Sequence, residues 1–97
     1  MKSYKGTKIN DKVYERVFDC KDRDFFVWHR DKEDRRITVT SEAHGWKFQM
    51  DNCLPVDLVL GVVISIPKNT FHRIIAGTGI IKIRLEKEQH ENIIFRS

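Results

Sequence analysis

The stretch Gly61-Val62-Val63-Ile64-Ser65-Ile66-Pro67-Lys68-Asn69-Thr70-Phe71-His72 runs from a glycine through β-branched residues to a proline turn and out again. β-branched runs suit a pleated, half-buried strand, and Pro-Lys-Asn supplies a fixed φ followed by a turn former. Asn69 is the non-glycine type that best tolerates the left-handed conformation such a turn requires. The stretch therefore reads as a hairpin with Gly61, Pro67 and Asn69 as its turn-forming residues. Side chains alternate across a strand, so His72 and Ile74 share one face while Phe71, Arg73 and Ile75 take the other. If the first face points inward, His72 lies in a pocket.

Working outward, the same texture recurs. Strands are predicted near 13–18 (VYERVF), 25–29 (FFVWH), 36–41 (RITVTS), 46–50 (WKFQM), 56–60 (VDLVL), 62–66 (VVISI), 70–75 (TFHRII), 79–85 (GIIKIRL) and 93–96 (IIFR). Turn chemistry separates them at His44-Gly45, Asp51-Asn52, Gly61, Pro67-Lys68-Asn69 and Gly77-Thr78-Gly79. Ile81, Ile83 and Leu85 alternate with Lys82, Arg84 and Glu86, which marks one dry and one wet face. Trp46, Phe48 and Met50 alternate with Lys47 and Gln49 in the same way. No window carries a helical apolar stripe. Many short antiparallel strands with one dry face must bury it against each other, so the fold class is all-β: a small sandwich, jelly roll or closed barrel.

At 97 residues the chain fits one domain. No apolar run reaches the roughly 18 residues of a membrane helix. The start lacks the apolar core of a secretory signal, so a cytoplasmic protein is expected. Cys20 and Cys53 form no CxxC pair and suggest neither a disulfide framework nor a cysteine zinc site. The net charge is +4. Residues 1–12 carry Lys2, Lys5, Lys8 and Lys12 against Asp11, and setting these aside leaves 14 basic and 13 acidic residues. The expected organisation is a basic arm over 1–12 and a nearly neutral domain over 13–97, which argues against a nucleic-acid-binding barrel.

The spacing of Gly61, Pro67, Asn69 and His72 resembles the second signature of the cupin superfamily: glycine, five residues, proline, one residue, glycine, two residues, histidine. Asn69 replaces the third of these, and Ala76 stands where the family often has an asparagine. The resemblance covers residues 13–87 and implies a small jelly roll, the double-stranded β-helix barrel of the cupin type. In metal-binding cupins the histidine is a ligand, with partners from an earlier histidine-x-histidine and glutamate motif. Trp28-His29-Arg30-Asp31-Lys32-Glu33-Asp34-Arg35 matches it in part. Asp31 takes the second histidine's place and Asp34 lies one position short of the glutamate.

The resemblance thus implies a metal set of His29, Asp31, Asp34 and His72. Residues two apart on a strand share a face, so His29 and Asp31 can converge on one ion. Imidazole and carboxylate ligands suit divalent iron, manganese, zinc or nickel. Trp46, Phe48, Gln49 and Ile74 are the candidate pocket wall, and a small polar ligand is expected there. Two readings stay open: a metal-dependent cupin, isomerase- or dioxygenase-like if an enzyme, or a metal-free module with a sugar or nucleotide-sugar pocket. Cupins often pair through an outer strand, so a homodimer is expected, with 13–18 or 93–96 reaching across.

Overall fold

β8 (Ile80–Glu88) organises the larger of two sheets because its alternation presents Ile81 and Ile83, both buried, to one side and exposed Lys82 and Arg84 to the other. The computed structural model describes residues 4–9, 12–22 and 26–88, and these contain strands and turns but no helix. β1 (Tyr4–Lys8), β2 (Val13–Asp19), β3 (Asp34–Val39) and β6 (Val63–Ile66) join β8 in the order β1-β2-β8-β3-β6. β4 (Lys47–Met50), β5 (Val56–Asp57) and β7 (His72–Ile75) form the second sheet in the order β5-β4-β7. Every pairing is antiparallel. No helix among the described residues is long and apolar enough to cross a membrane.

The dry faces of the two sheets meet. Ile37, Val39, Ile66, Ile81 and Ile83 come from the larger sheet, and Trp46, Phe48 and Leu58 from the smaller sheet and its flanks. Each such side chain contributes roughly 1.5–3 kcal/mol by leaving water. Trp46 is 1% exposed, and its indole satisfies its one donor by bonding the Thr78 carbonyl oxygen at 3.0 Å. The hairpin expected over 61–75 does not form: β6 pairs with β3 in the larger sheet and β7 with β4 in the smaller one, so the Pro67–Asn69 turn carries the chain from one sheet to the other. The turn-forming conformations are present, with Gly61 at φ 91° before β6 and Asn69 at φ 62° between β6 and β7. Asn69 also donates its backbone N–H to the Asp31 carbonyl at 2.7 Å, which ties this turn to the loop before β3.

Four further expectations change. Residues 4–8, assigned to a basic arm, form β1, because the backbone of YKGTK pairs with β2 although its side chains show no apolar alternation. The strand expected over 25–29 reduces to one bridge, His29 with His72, and Phe25 lies outside the described residues. The strand expected over 56–60 is two residues long, since buried Leu58 turns in to donate to the Trp46 carbonyl. Strand 13–18, expected to reach a second copy, has both edges filled by β1 and β8 of its own chain. The strand expected over 93–96 lies outside the described residues.

Gly77 packs where no side chain fits: a Cβ there would stand 2.1 Å from the His44 carbonyl oxygen and 2.5 Å from the Trp46 backbone nitrogen. Both obstacles are backbone, so Gly77→Ala is expected to destabilise the fold by about 2 kcal/mol or more, as overpacking does. Thermal unfolding followed by circular dichroism should show a Tm fall of roughly 10 °C, taking 4–8 °C per kcal/mol for a chain of this size.

Candidate metal centre

His72 opens β7 and is 4% exposed, the one fully buried polar side chain among the described residues. Its ring lies over Phe48 at 5.6 Å between centroids. Its Nδ1 lies 2.8 Å from the Thr70 carbonyl oxygen. A carbonyl only accepts, so Nδ1 carries a hydrogen and Nε2 is the ring nitrogen left to meet a partner in the barrel. His29 repeats the device, with Nδ1 donating to the Val27 carbonyl at 3.1 Å. Two backbone hydrogen bonds, His29 N–H to His72 O at 3.0 Å and His72 N–H to His29 O at 2.8 Å, set the rings edge to face at 4.3 Å.

Asp31 completes the group. Its Oδ2 is 3.4 Å from His72 Nε2 and its Oδ1 is 3.5 Å from the Arg35 guanidinium. The hydrogen bond that a protonated His72 Nε2 donates to it, helped by the charges of Arg35 and the imidazoles, holds the Asp31 carboxyl below the usual carboxylate range, although burial pushes the other way. One donor atom from each of His29, Asp31 and His72 lies within 4.8 Å of the others. Metal–ligand bonds of ~2.0–2.2 Å put adjacent donors roughly 3.0–3.5 Å apart, so a modest contraction closes the set on one ion. With Nδ1 as donor in both rings, two neutral imidazoles would set two nitrogen lone pairs beside a carboxylate. Such a group is stable only with a cation among its members, a metal ion or a proton on an imidazole.

Asp34 is not in this group. It begins β3, whose inward positions are Arg35, Ile37 and Val39, so alternation turns Asp34 away, and its Oδ1 accepts the Lys68 backbone N–H at 2.7 Å. The donor role belongs to the turn at Pro67–Asn69, not to an ion.

A cavity of about 370 Å³ opens in front of the group. Phe48 and Ile74, which sit opposite each other on β4 and β7, line it as expected. Trp46 and Gln49 do not. Trp46 is packed into the core with its ring edge against Phe26, 5.7 Å between centroids. Gln49 alternates to the outer face, where it accepts from Arg73 and donates to the Cys53 carbonyl. The larger sheet supplies wall residues that were not anticipated, above all Arg16 and Arg35. Arg16 was legible in principle, since Tyr14, Arg16 and Phe18 share one strand face.

No family model matches the chain, and no curated protein does either. Solved structures do. An RmlC-like cupin family protein with a double-stranded β-helix fold from Methanocaldococcus jannaschii superposes with a TM-score of 0.68 at 14% identity, over 98% of this chain and 88% of that one. A chain from the structures of the DMSP lyases RdDddP and RnDddQII gives a TM-score of 0.67 at 18% identity, over 79% of this chain. The match spans 37% of that lyase chain, so the present chain corresponds to only part of it. Iron(II) HppE gives 0.62 at 14% identity, over 88% of this chain and 48% of that one. The chain has the cupin double-stranded β-helix fold.

Because the Asp31 pKa is lowered by folding, its contribution to stability is present above the unfolded carboxylate range, about pH 4, and is lost as pH falls through the lower folded value. In the presence of chelator, the Tm difference between the unaltered protein and Asp31→Asn is expected to be present at pH 7 and to shrink on acidification below pH 4. A difference independent of pH would show that the carboxylate is not held ionised by its neighbours.

Proposed function

We propose that this cupin-fold chain binds one divalent transition metal through His29 Nε2, His72 Nε2 and the Asp31 carboxylate, and presents it to a small ligand in the barrel cavity. One observation carries the reading: both imidazoles spend Nδ1 on a carbonyl two residues back, His72 Nε2 lies 3.4 Å from Asp31, and one donor atom each of His29, Asp31 and His72 lie within 4.8 Å of one another. Two histidines and one carboxylate with open positions are the donor set of iron(II), and they also suit manganese, zinc or nickel. When bound, such an ion supplies Lewis acidity and can acidify a coordinated water.

The protein's own residues do the rest. Val27 and Thr70 fix the ring tautomers, the His29–His72 bridge fixes the ring separation, and Arg35 keeps Asp31 ionised and aimed. Phe48 and Ile74 exclude water from one side of the group, which strengthens every charge interaction inside it. Iron(II) HppE is a structure of similar fold with iron(II), which agrees with this reading. The competing reading, a metal-free module, draws on the same geometry, since a proton on His72 also satisfies the lone pairs.

Metal analysis of the purified protein after incubation with iron(II), manganese, zinc or nickel separates the two. About one equivalent is expected, lost on His72→Ala or Asp31→Ala and retained on Asp34→Ala. An ion present at 100 times its Kd should add about 2.7 kcal/mol of stability, a Tm rise of roughly 10–20 °C. Absence of both stoichiometric metal and any divalent-dependent Tm rise would establish the metal-free module.

A further inference from the structure

Two arginines point into the barrel. Arg16 lies on β2 between Tyr14 and Phe18, and Arg35 lies on β3 just before buried Ile37, so alternation sends both toward the cavity they line. β2 and β3 flank β8 in the larger sheet, whereas His72 comes from the smaller one. The guanidiniums therefore approach from the sheet that faces His72. Among the charged lining residues Arg16 and Arg35 stand against Asp31, which is a net charge of +1 with neutral imidazoles. Asp31 lies 3.5 Å from Arg35, whose Nε is buried and makes no hydrogen bond among the described residues. A divalent ion would raise the net charge to +3.

The rest of the wall is apolar: Phe18, Ile37, Phe48, Ile66, Ile74 and Ile83 contribute no hydrogen-bonding side-chain atom. A sugar would have to bury several hydroxyls against these faces without partners, each at a cost. At about 30 Å³ per liquid water, the 370 Å³ cavity holds about twelve water volumes, room for a ligand of on the order of ten non-hydrogen atoms. A positive end and an apolar body in so small a space select one chemistry.

We propose that the pocket binds a small organic carboxylate with a hydrocarbon body, its carboxylate held by Arg16 and its body packed on the isoleucines and phenylalanines of the two sheets. This deepens the metal reading in naming the ligand class of that site, but the Arg16 contact is a property of the chain with or without the ion. The expected ligand is thus an anion with an apolar body rather than a neutral sugar. Arg35 acts through Asp31 as a positioning residue.

The test is calorimetric titration of the full chain, both zinc-loaded and chelated, with hexanoate, 1-hexanol and gluconate, and zinc content measured on the same samples. Hexanoate is expected to bind tightest in both forms. Arg16→Gln should weaken it by about tenfold or more, the lower range for loss of a charge-assisted hydrogen bond, without altering zinc content or 1-hexanol binding. Arg16→Lys should keep part of the affinity, since it keeps the charge and loses the planar fork. Hexanoate bound no better than 1-hexanol, gluconate bound better than hexanoate, or Arg16→Gln binding hexanoate like the unaltered protein would each overturn the proposal. The first two comparisons need no variant and stand even if Arg16→Gln misfolds. Failure to take up zinc would overturn the metal reading alone, because the chelated form still decides the carboxylate.

Discussion

The pair of backbone hydrogen bonds between His29 and His72 is the constraint on which the site rests. The two residues are far apart in the chain, one in a loop with no ladder of its own and the other at the start of β7. A single bridge brings them together, and each ring is then turned by a carbonyl two residues before it. The same loop is held from its other end, where the Asp31 carbonyl accepts from Asn69 and the Asp34 carboxylate accepts from Lys68. The proline turn thus does two things: it carries the chain from β6 in the larger sheet to β7 in the smaller one, and it clamps the segment carrying His29 and Asp31 against the barrel mouth.

This arrangement explains why a loop can carry a defined donor set. Loops usually fix side chains poorly, yet here four backbone or capping hydrogen bonds stand in for a strand ladder. The cost of ordering the loop is offset where it can be, by the burial of His72 and by the packing of Phe26 on Trp46. The charge pattern inside follows. An ionised carboxylate beside two nitrogen lone pairs, backed by arginine, is costly in an apolar cavity unless a cation and an anionic ligand complete it.

Much of the fold was legible because it is written in two-residue alternation. Ile81, Ile83 and Leu85 predicted the central strand, and the left-handed conformations of Gly61 and Asn69 followed from turn chemistry. β1 was illegible, since Tyr-Lys-Gly-Thr-Lys carries no apolar period and its strand state comes from pairing with β2. In the site, His29, Asp31 and His72 were found from motif spacing. Asp34 was misplaced because spacing within a charged run does not reveal where the loop ends and β3 begins, and one residue of register reverses a side chain's face. Trp46 was read as a pocket wall and is core; it faces inward but does not line the cavity. Arg16 was overlooked for the opposite reason: a charge is read as a solvent-facing residue, and its inward direction shows only once Tyr14 and Phe18 are seen to share its face.

The most direct measurement is the tautomeric state of the two histidines in the chelated protein near pH 7, read from two-bond proton–nitrogen correlations on 15N-labelled rings, and repeated with zinc. A hydrogen on Nδ1 of both His29 and His72 with and without zinc, and Nε2 signals that shift strongly when zinc is added, are the predicted result. An Nδ1 without its hydrogen in either ring, or ring signals indifferent to zinc, would contradict a metal centre built on these residues.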